Sequence, residues 1–151
     1  MIRLDRPVDT YLDSIAKVQQ GITGNPDLLR KVQNNRKNWG IFEDVYVLFS
    51  EMNFLKHIGA LQTPRKTDPL VIHTGILKSE MITLYSTYFS NRKKPAYEIY
   101  ERIMLSASES CPYCGGIGDP TNLDHYMAKK YYPQYTVLPL NLVPSCRDCN
   151  M

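Results

Sequence analysis

The sequence predicts an α+β chain, mainly α, in which a helical N-terminal region precedes a small metal-bound ββα module. Three observations carry this expectation. Apolar residues recur at three- and four-residue spacing between Tyr11 and Ile103, the period of helices that bury one face. All four cysteines sit near the C-terminus as two Cys-x2-Cys pairs, Cys111/Cys114 and Cys146/Cys149, with 31 residues between them. Two short β-prone runs, Thr121–Asp124 and Leu142–Ser145, bound the loop that joins those pairs. A chain of 151 residues can bury roughly two-thirds of its unfolded surface, so one core is feasible without disulfides.

Each element follows from local chemistry. The first helix runs from Asp9 to Gln20, with Tyr11, Ile15 and Val18 on one face, and stops at Gly21. Asn25-Pro26 is a cap followed by a first-turn proline, and Leu28, Leu29 and Val32 form the stripe of the second helix. A third stripe starts at Ile41 and continues through Val45, Leu48, Met52 and Leu55 to a stop near Gly59. Gln62 to Asp68, with Thr63-Pro64 and Thr67-Asp68-Pro69, reads as a loop. Leu77, Met81, Leu84, Tyr85 and Tyr88 predict the next helix, ending before Ser90-Asn91-Arg92. Pro95 opens the last one, through Ala96, Ile99, Tyr100 and Ile103. These elements make residues 1–105 a helical region and 106–151 a separate module. Trp39 reads as packing, and His57 and His73 as isolated histidines at helix ends.

Composition excludes several classes. Hydrophobic residues at 43% and charges of both signs at 22% exclude wholesale disorder. No run approaches the ~18 apolar residues of a membrane span, and Met1–Arg6 is charged with no apolar stretch after it. The expectation is a cytoplasmic protein with no membrane partner. The net charge is +3, and the excess lies in residues 1–110, which carry 15 basic and 12 acidic side chains against three of each thereafter. That permits a nucleic-acid partner without arguing for one. Arg36-Lys37, Arg65-Lys66 and Arg92-Lys93-Lys94 read as solvated loop ends.

The cysteines point to metal. A redox pair occurs once, and a secreted disulfide framework spreads its cysteines more widely. Two Cys-x2-Cys turns instead aim four thiolates at one point, the tetrahedral donor set of structural zinc. One zinc ion on Cys111, Cys114, Cys146 and Cys149 is expected.

Between the knuckles stand Asn122-Leu123-Asp124-His125-Tyr126-Met127-Ala128-Lys129-Lys130 and Asn141-Leu142-Val143-Pro144-Ser145, then Cys146-Arg147-Asp148-Cys149-Asn150. Two strands followed by a helix from Cys146 would give the plan of a treble-clef zinc module. Over Cys111 to Asn150 the sequence resembles the HNH endonuclease superfamily, most of all the HNH nucleases of bacterial defence and restriction systems. The resemblance implies that Asn141 is the middle residue of the motif, bracing the hairpin loop and orienting the histidine. It also implies that Asn150 takes the third position as a metal ligand. Asparagine there, in place of histidine, suits Mg²⁺ or Mn²⁺ better than zinc. Ala128 stands where close relatives carry proline.

The residues themselves support a hydrolytic reading. Phosphodiester hydrolysis needs a base near the attacking water and a cation near the departing oxygen. His125 is the natural base, because imidazole titrates near neutrality. Asp124, on the opposite strand face, supplies an anionic ligand for Mg²⁺ or Mn²⁺. Lys129, Lys130 and Arg147 are candidates for phosphate contact. Tyr126, Tyr131, Tyr132 and Tyr135 either stack on substrate or fill a small core. The partners expected are nucleic acid, with DNA the first expectation and RNA the second, and by analogy an ATPase docked on the helical region. The alternative is a non-catalytic zinc module serving as a nucleic-acid or protein adaptor. Because the chain reaches Met151 one residue after Asn150, we also expect a fragment whose native form continues as a basic helix.

Overall fold

The computed structural model describes residues 2–150. It is mixed α+β and mainly helical, with a single two-stranded sheet. Helix α1 (Tyr11–Gly21) is held at its start by Thr10. The Thr10 hydroxyl accepts from the Asp13 amide at 3.1 Å, and the Thr10 amide donates to the Asp13 carboxylate at 2.8 Å. Helix α2 (Pro26–Asn34) is capped by the Asn25 carboxamide, which accepts from the Leu28 amide at 3.2 Å. Both begin within two residues of the expected positions.

Helix α3 (Arg36–Glu51) departs from the sequence expectation. The face from Ile41 was expected to be buried, yet Ile41, Leu48 and Met52 are 51%, 53% and 54% exposed. Trp39 and Tyr46 are buried instead, with Phe42 half-buried between them. These aromatics also recur at helical spacing and carry more apolar area than the aliphatic stripe, so burial favours them. Their rings interlock with others: Tyr11 lies 5.5 Å from Trp39, and Tyr135 5.0 Å from Tyr46. The Trp39 indole donates to the Val32 carbonyl at 3.0 Å. The helix also ends earlier than expected, at Glu51. Asn53 takes a left-handed conformation (φ 57°) and the Phe54 amide turns back to the Phe49 carbonyl. A short 3₁₀ turn follows at Leu55–His57.

Helix α4 (Lys78–Thr83) passes into a π-helical segment, Leu84–Phe89, whose widened turn buries Leu84, Tyr85, Tyr88 and Phe89 together. Helix α5 (Tyr97–Leu105) begins just after Pro95 and buries Ile99 and Ile103. Strands β1 (Asn122–His125) and β2 (Leu142–Ser145) pair antiparallel, with Asp124 opposite Val143 and His125 opposite Leu142. Strand β1 lies one residue later than expected and β2 matches. After β2, the helix expected from Cys146 is not formed among the described residues. A single turn stands there, closed by the Asn150 amide on the Cys146 carbonyl at 3.1 Å. Met151, on which the expectation about the chain end falls, lies outside the described residues.

Helices and hairpin share one core, which includes Tyr11, Trp39, Leu84, Leu123, Tyr135 and Leu142. The loop between the strands is wedged against the helices. The Tyr11 hydroxyl donates to the Gln134 carbonyl and the Ser14 hydroxyl to the Val137 carbonyl, each at 2.6 Å. Among the described residues no helix is long and apolar enough to cross a membrane.

Candidate metal centre and hairpin site

The two Cys-x2-Cys turns converge. All four sulfur atoms lie within 4.8 Å of one another, and Cys114 and Cys146 are 4.0 Å apart. A tetrahedral site with ~2.3 Å metal–sulfur bonds needs edges of about 3.8 Å, so the cluster can hold a zinc-like ion with little adjustment. Backbone amides already point at the sulfurs: Gly118 donates to Cys114 and Cys146 to Cys111, both at 3.4 Å. Glycine is required at 118, since a Cβ there would stand 2.9 Å from the Cys146 side chain. Burial pushes the Cys111 thiol up, but amides of Cys146, Cys114 and Tyr113 outweigh it and bring it down to about 6. Cys149 is pushed up to about 12, first by its hydrogen bond with Cys146, then by burial. Four adjacent thiols cannot all ionise unaided, and a divalent cation removes that conflict.

Purified protein should therefore carry one zinc per chain, measured by elemental analysis. Cys114→Ser should release the knuckles while leaving most helical signal intact, because the loop between the strands stays anchored through Tyr11 and Ser14. Metal-free protein with four freely titrating thiols would rule this out.

The hairpin carries the other candidate residues. Strand alternation puts Leu123 and His125 on the inner face, and Asn122 and Asp124 on the outer one. His125 is 8% exposed. Its Nε2 lies 2.9 Å from the Thr136 carbonyl, an acceptor only, which assigns the proton to Nε2 and leaves Nδ1 with a lone pair. Tyr85 packs against the ring edge-on at 4.5 Å, and the Lys129 ammonium sits over the Tyr85 ring at 5.0 Å. Burial holds the imidazole down to about 4, and the Lys129 charge acts in the same sense against the Thr136 carbonyl and Asp124.

Asn141 is fully buried and ties the loop together. Its carbonyl accepts from the Met127 amide at 2.7 Å and the Tyr46 hydroxyl at 3.2 Å. Its amide donates to the Met127 and Tyr135 carbonyls at 3.1 and 3.2 Å. On the outer face Asp124 accepts from the His125 amide at 2.8 Å, and Tyr113 stands beside it. Burial, followed by the Asp124 charge, raises the Tyr113 phenol well above its usual range. The Asn150 side-chain amide donates to the Asn122 side-chain oxygen at 2.5 Å, which brings Asn150 to the face that carries Asp124. That face thus carries one carboxylate, Asp124, and two carboxamides, Asn122 and Asn150, which are bonded to each other.

Lys129 is thus on the histidine side of the hairpin. Lys130 is exposed with its ammonium 5.2 Å over the Tyr131 ring, and Arg147 is exposed on the turn between Cys146 and Cys149. Tyr135 belongs to the core, whereas Tyr126 and Tyr131 are exposed. Sequence reasoning missed Asn122, Tyr113 and the contacts of Tyr85 and Tyr46. Tyr85 and Tyr46 sit in helical stretches where any aromatic reads as packing.

Among known proteins, no family profile and no solved structure matches this chain. The chain is similar to protein ea31 of Escherichia phage lambda, 34% identical over 157 aligned residues. That alignment covers 100% of this chain and 50% of the relative, so the chain spans about half the length of the protein it matches.

Proposed function

We propose that this chain carries a metal-dependent endonuclease site of the HNH type with DNA as its substrate, on a zinc-stapled knuckle-and-hairpin plan of the treble-clef kind whose helix after Cys146 is here a single turn. One observation carries the reading. Between the two cysteine knuckles, a hairpin braced by Asn141 holds His125 on one face and Asp124 on the other, where Asn150 is bonded to Asn122. His125 holds its Nε2 proton on Thr136 and keeps Nδ1 free to accept a proton from water. Asp124, Asn150 and Asn122 are the residues that would hold Mg²⁺ or Mn²⁺. When bound, such an ion stabilises charge on the departing oxygen. Lys129 adds positive charge near His125, and Lys130 and Arg147 are exposed for phosphate contact.

A role in anti-phage defence or restriction rests on the likeness around Leu123-Asp124-His125-Tyr126 and Asn141 to Cys146. A partner ATPase would dock on the helical region, where Ile41, Leu48 and Met52 leave an exposed apolar stripe on α3. The adaptor reading has one observation in its favour: His125 is buried and hydrogen-bonded in the manner of a structural histidine.

Plasmid nicking separates the two. Zinc-loaded protein should nick supercoiled DNA with added Mg²⁺ or Mn²⁺ and stop in a chelator of those ions. Asp124→Ala should raise the metal concentration needed for half-maximal cleavage. Folded, zinc-loaded protein with no cleavage across a full titration of either ion would leave the adaptor reading standing.

A further inference from the structure

A cleft of about 620 Å³ lies between the N-terminal segment, the end of α3 and the hairpin. Arg3, Arg6 and Lys56 line it, against one carboxylate, Glu51. All three cations are exposed, and none takes part in an ion pair among the described residues. The N-terminal segment is tied in place by the Ile2 amide, which donates to the Pro112 carbonyl inside the first knuckle at 2.8 Å. Tyr126, 56% exposed, and Val143 form the hairpin side of the cleft. Tyr126 follows His125 directly, and Val143 is the cross-strand partner of Asp124, so the two share the outer face of the ribbon. The cleft therefore opens onto the face that carries the carboxylate.

We propose that this cleft binds a single nucleic-acid strand, with phosphates on Arg3, Arg6 and Lys56 and one base stacked on Tyr126. Sequence-tolerant strand binding combines a cationic groove with an exposed aromatic platform, and both are here. An acidic peptide would use the cations but leave the Tyr126 ring without a flat partner. The direction of the strand, toward Asp124 and His125, rests on the endonuclease reading; the binding itself does not. Neither arginine belongs to a basic run, which is why sequence pattern pointed to Lys129, Lys130 and Arg147 instead.

The test is fluorescence anisotropy with a labelled 12-nucleotide single-stranded DNA, without divalent metal, across about 50–200 mM salt. The triple variant Arg3→Gln, Arg6→Gln, Lys56→Gln should lower the slope of log affinity against log salt by about 2, at ~0.7 per phosphate contact on a single strand. The charge-matched variant Arg36→Gln, Lys37→Gln, Lys66→Gln should leave it unchanged. Tyr126→Ala should weaken binding by roughly 5- to 100-fold, the scale of one stacked base, while Tyr126→Phe retains it. Glu51→Gln should tighten it. Equal losses in both triple variants, undiminished binding by Tyr126→Ala, or no binding by the native chain would each overturn the proposal. Cleft-dependent binding without cleavage under any metal would remove the endonuclease reading and leave the cleft. Cleavage with undiminished binding by the cleft variant would do the reverse.

Discussion

Asn141→Ala should destabilise the folded chain by about 4 kcal/mol, the largest loss expected from any single polar side chain here. The residue is fully buried, and its carboxamide makes four hydrogen bonds, to the Met127 amide, the Met127 and Tyr135 carbonyls and the Tyr46 hydroxyl. Truncation leaves all four partners inside the protein. Each unsatisfied buried group costs about 1–3 kcal/mol, and relaxation or an entering water recovers part of the sum. Asn141→Asp should also fail, since it loses both donors and sets an anion against two carbonyls. The loss should show as a lower midpoint in urea unfolding at an unchanged slope. A shift worth under about 1 kcal/mol would mean that the loop is held by its other anchors, the Tyr11 and Ser14 hydroxyls.

How much of this was legible in the sequence depends on the range of each interaction. Cys-x2-Cys pairs, the Asn25-Pro26 cap and the strand at Leu142–Ser145 are set by neighbours a few residues away, and each lies where the pattern put it. The buried face of α3 was not legible, because two apolar stripes share the same period. Choosing Trp39 and Tyr46 over Ile41 and Leu48 requires knowing that Tyr11 and Tyr135 wait opposite. The helix expected from Cys146 gave way to a single turn, since spacing places the sulfurs but says nothing about the turns beyond them. The carbonyl partner of His125 was invisible for a related reason. Thr136 contributes only its backbone, and backbone acceptors carry no residue signature.

If the proposed endonuclease site is correct, His125→Ala should lower metal-dependent cleavage by about 10²–10⁴-fold, the usual worth of a general base, with single-strand binding left close to native. Plasmid cleavage and anisotropy on the same preparation measure both. Undiminished cleavage would place the base elsewhere. The same residue makes a separate, pH-dependent contribution to stability. Burial holds its imidazole at about 4 in the folded chain, against about 6.5 when unfolded. The unfolded state therefore binds the proton first, and stability must fall as pH drops from about 6.5 toward 4. The full depression corresponds to about 3 kcal/mol, complete above the upper value and lost once pH passes the folded one. Metal binding by cysteine is itself pH-dependent, so the His125 share is read as a difference. Urea midpoints of the native chain and of His125→Gln should converge or cross as pH falls from 7 to 4. Parallel curves would mean that the imidazole titrates normally in the fold. The low value also bears on catalysis, since a base at about 4 is weak for water. An anionic phosphodiester beside Nδ1 would raise it, offsetting burial and Lys129, so substrate itself would tune the base toward neutrality. On that account the acid limb of kcat/KM, which reports the free protein, should lie near pH 4, and that of kcat at higher pH.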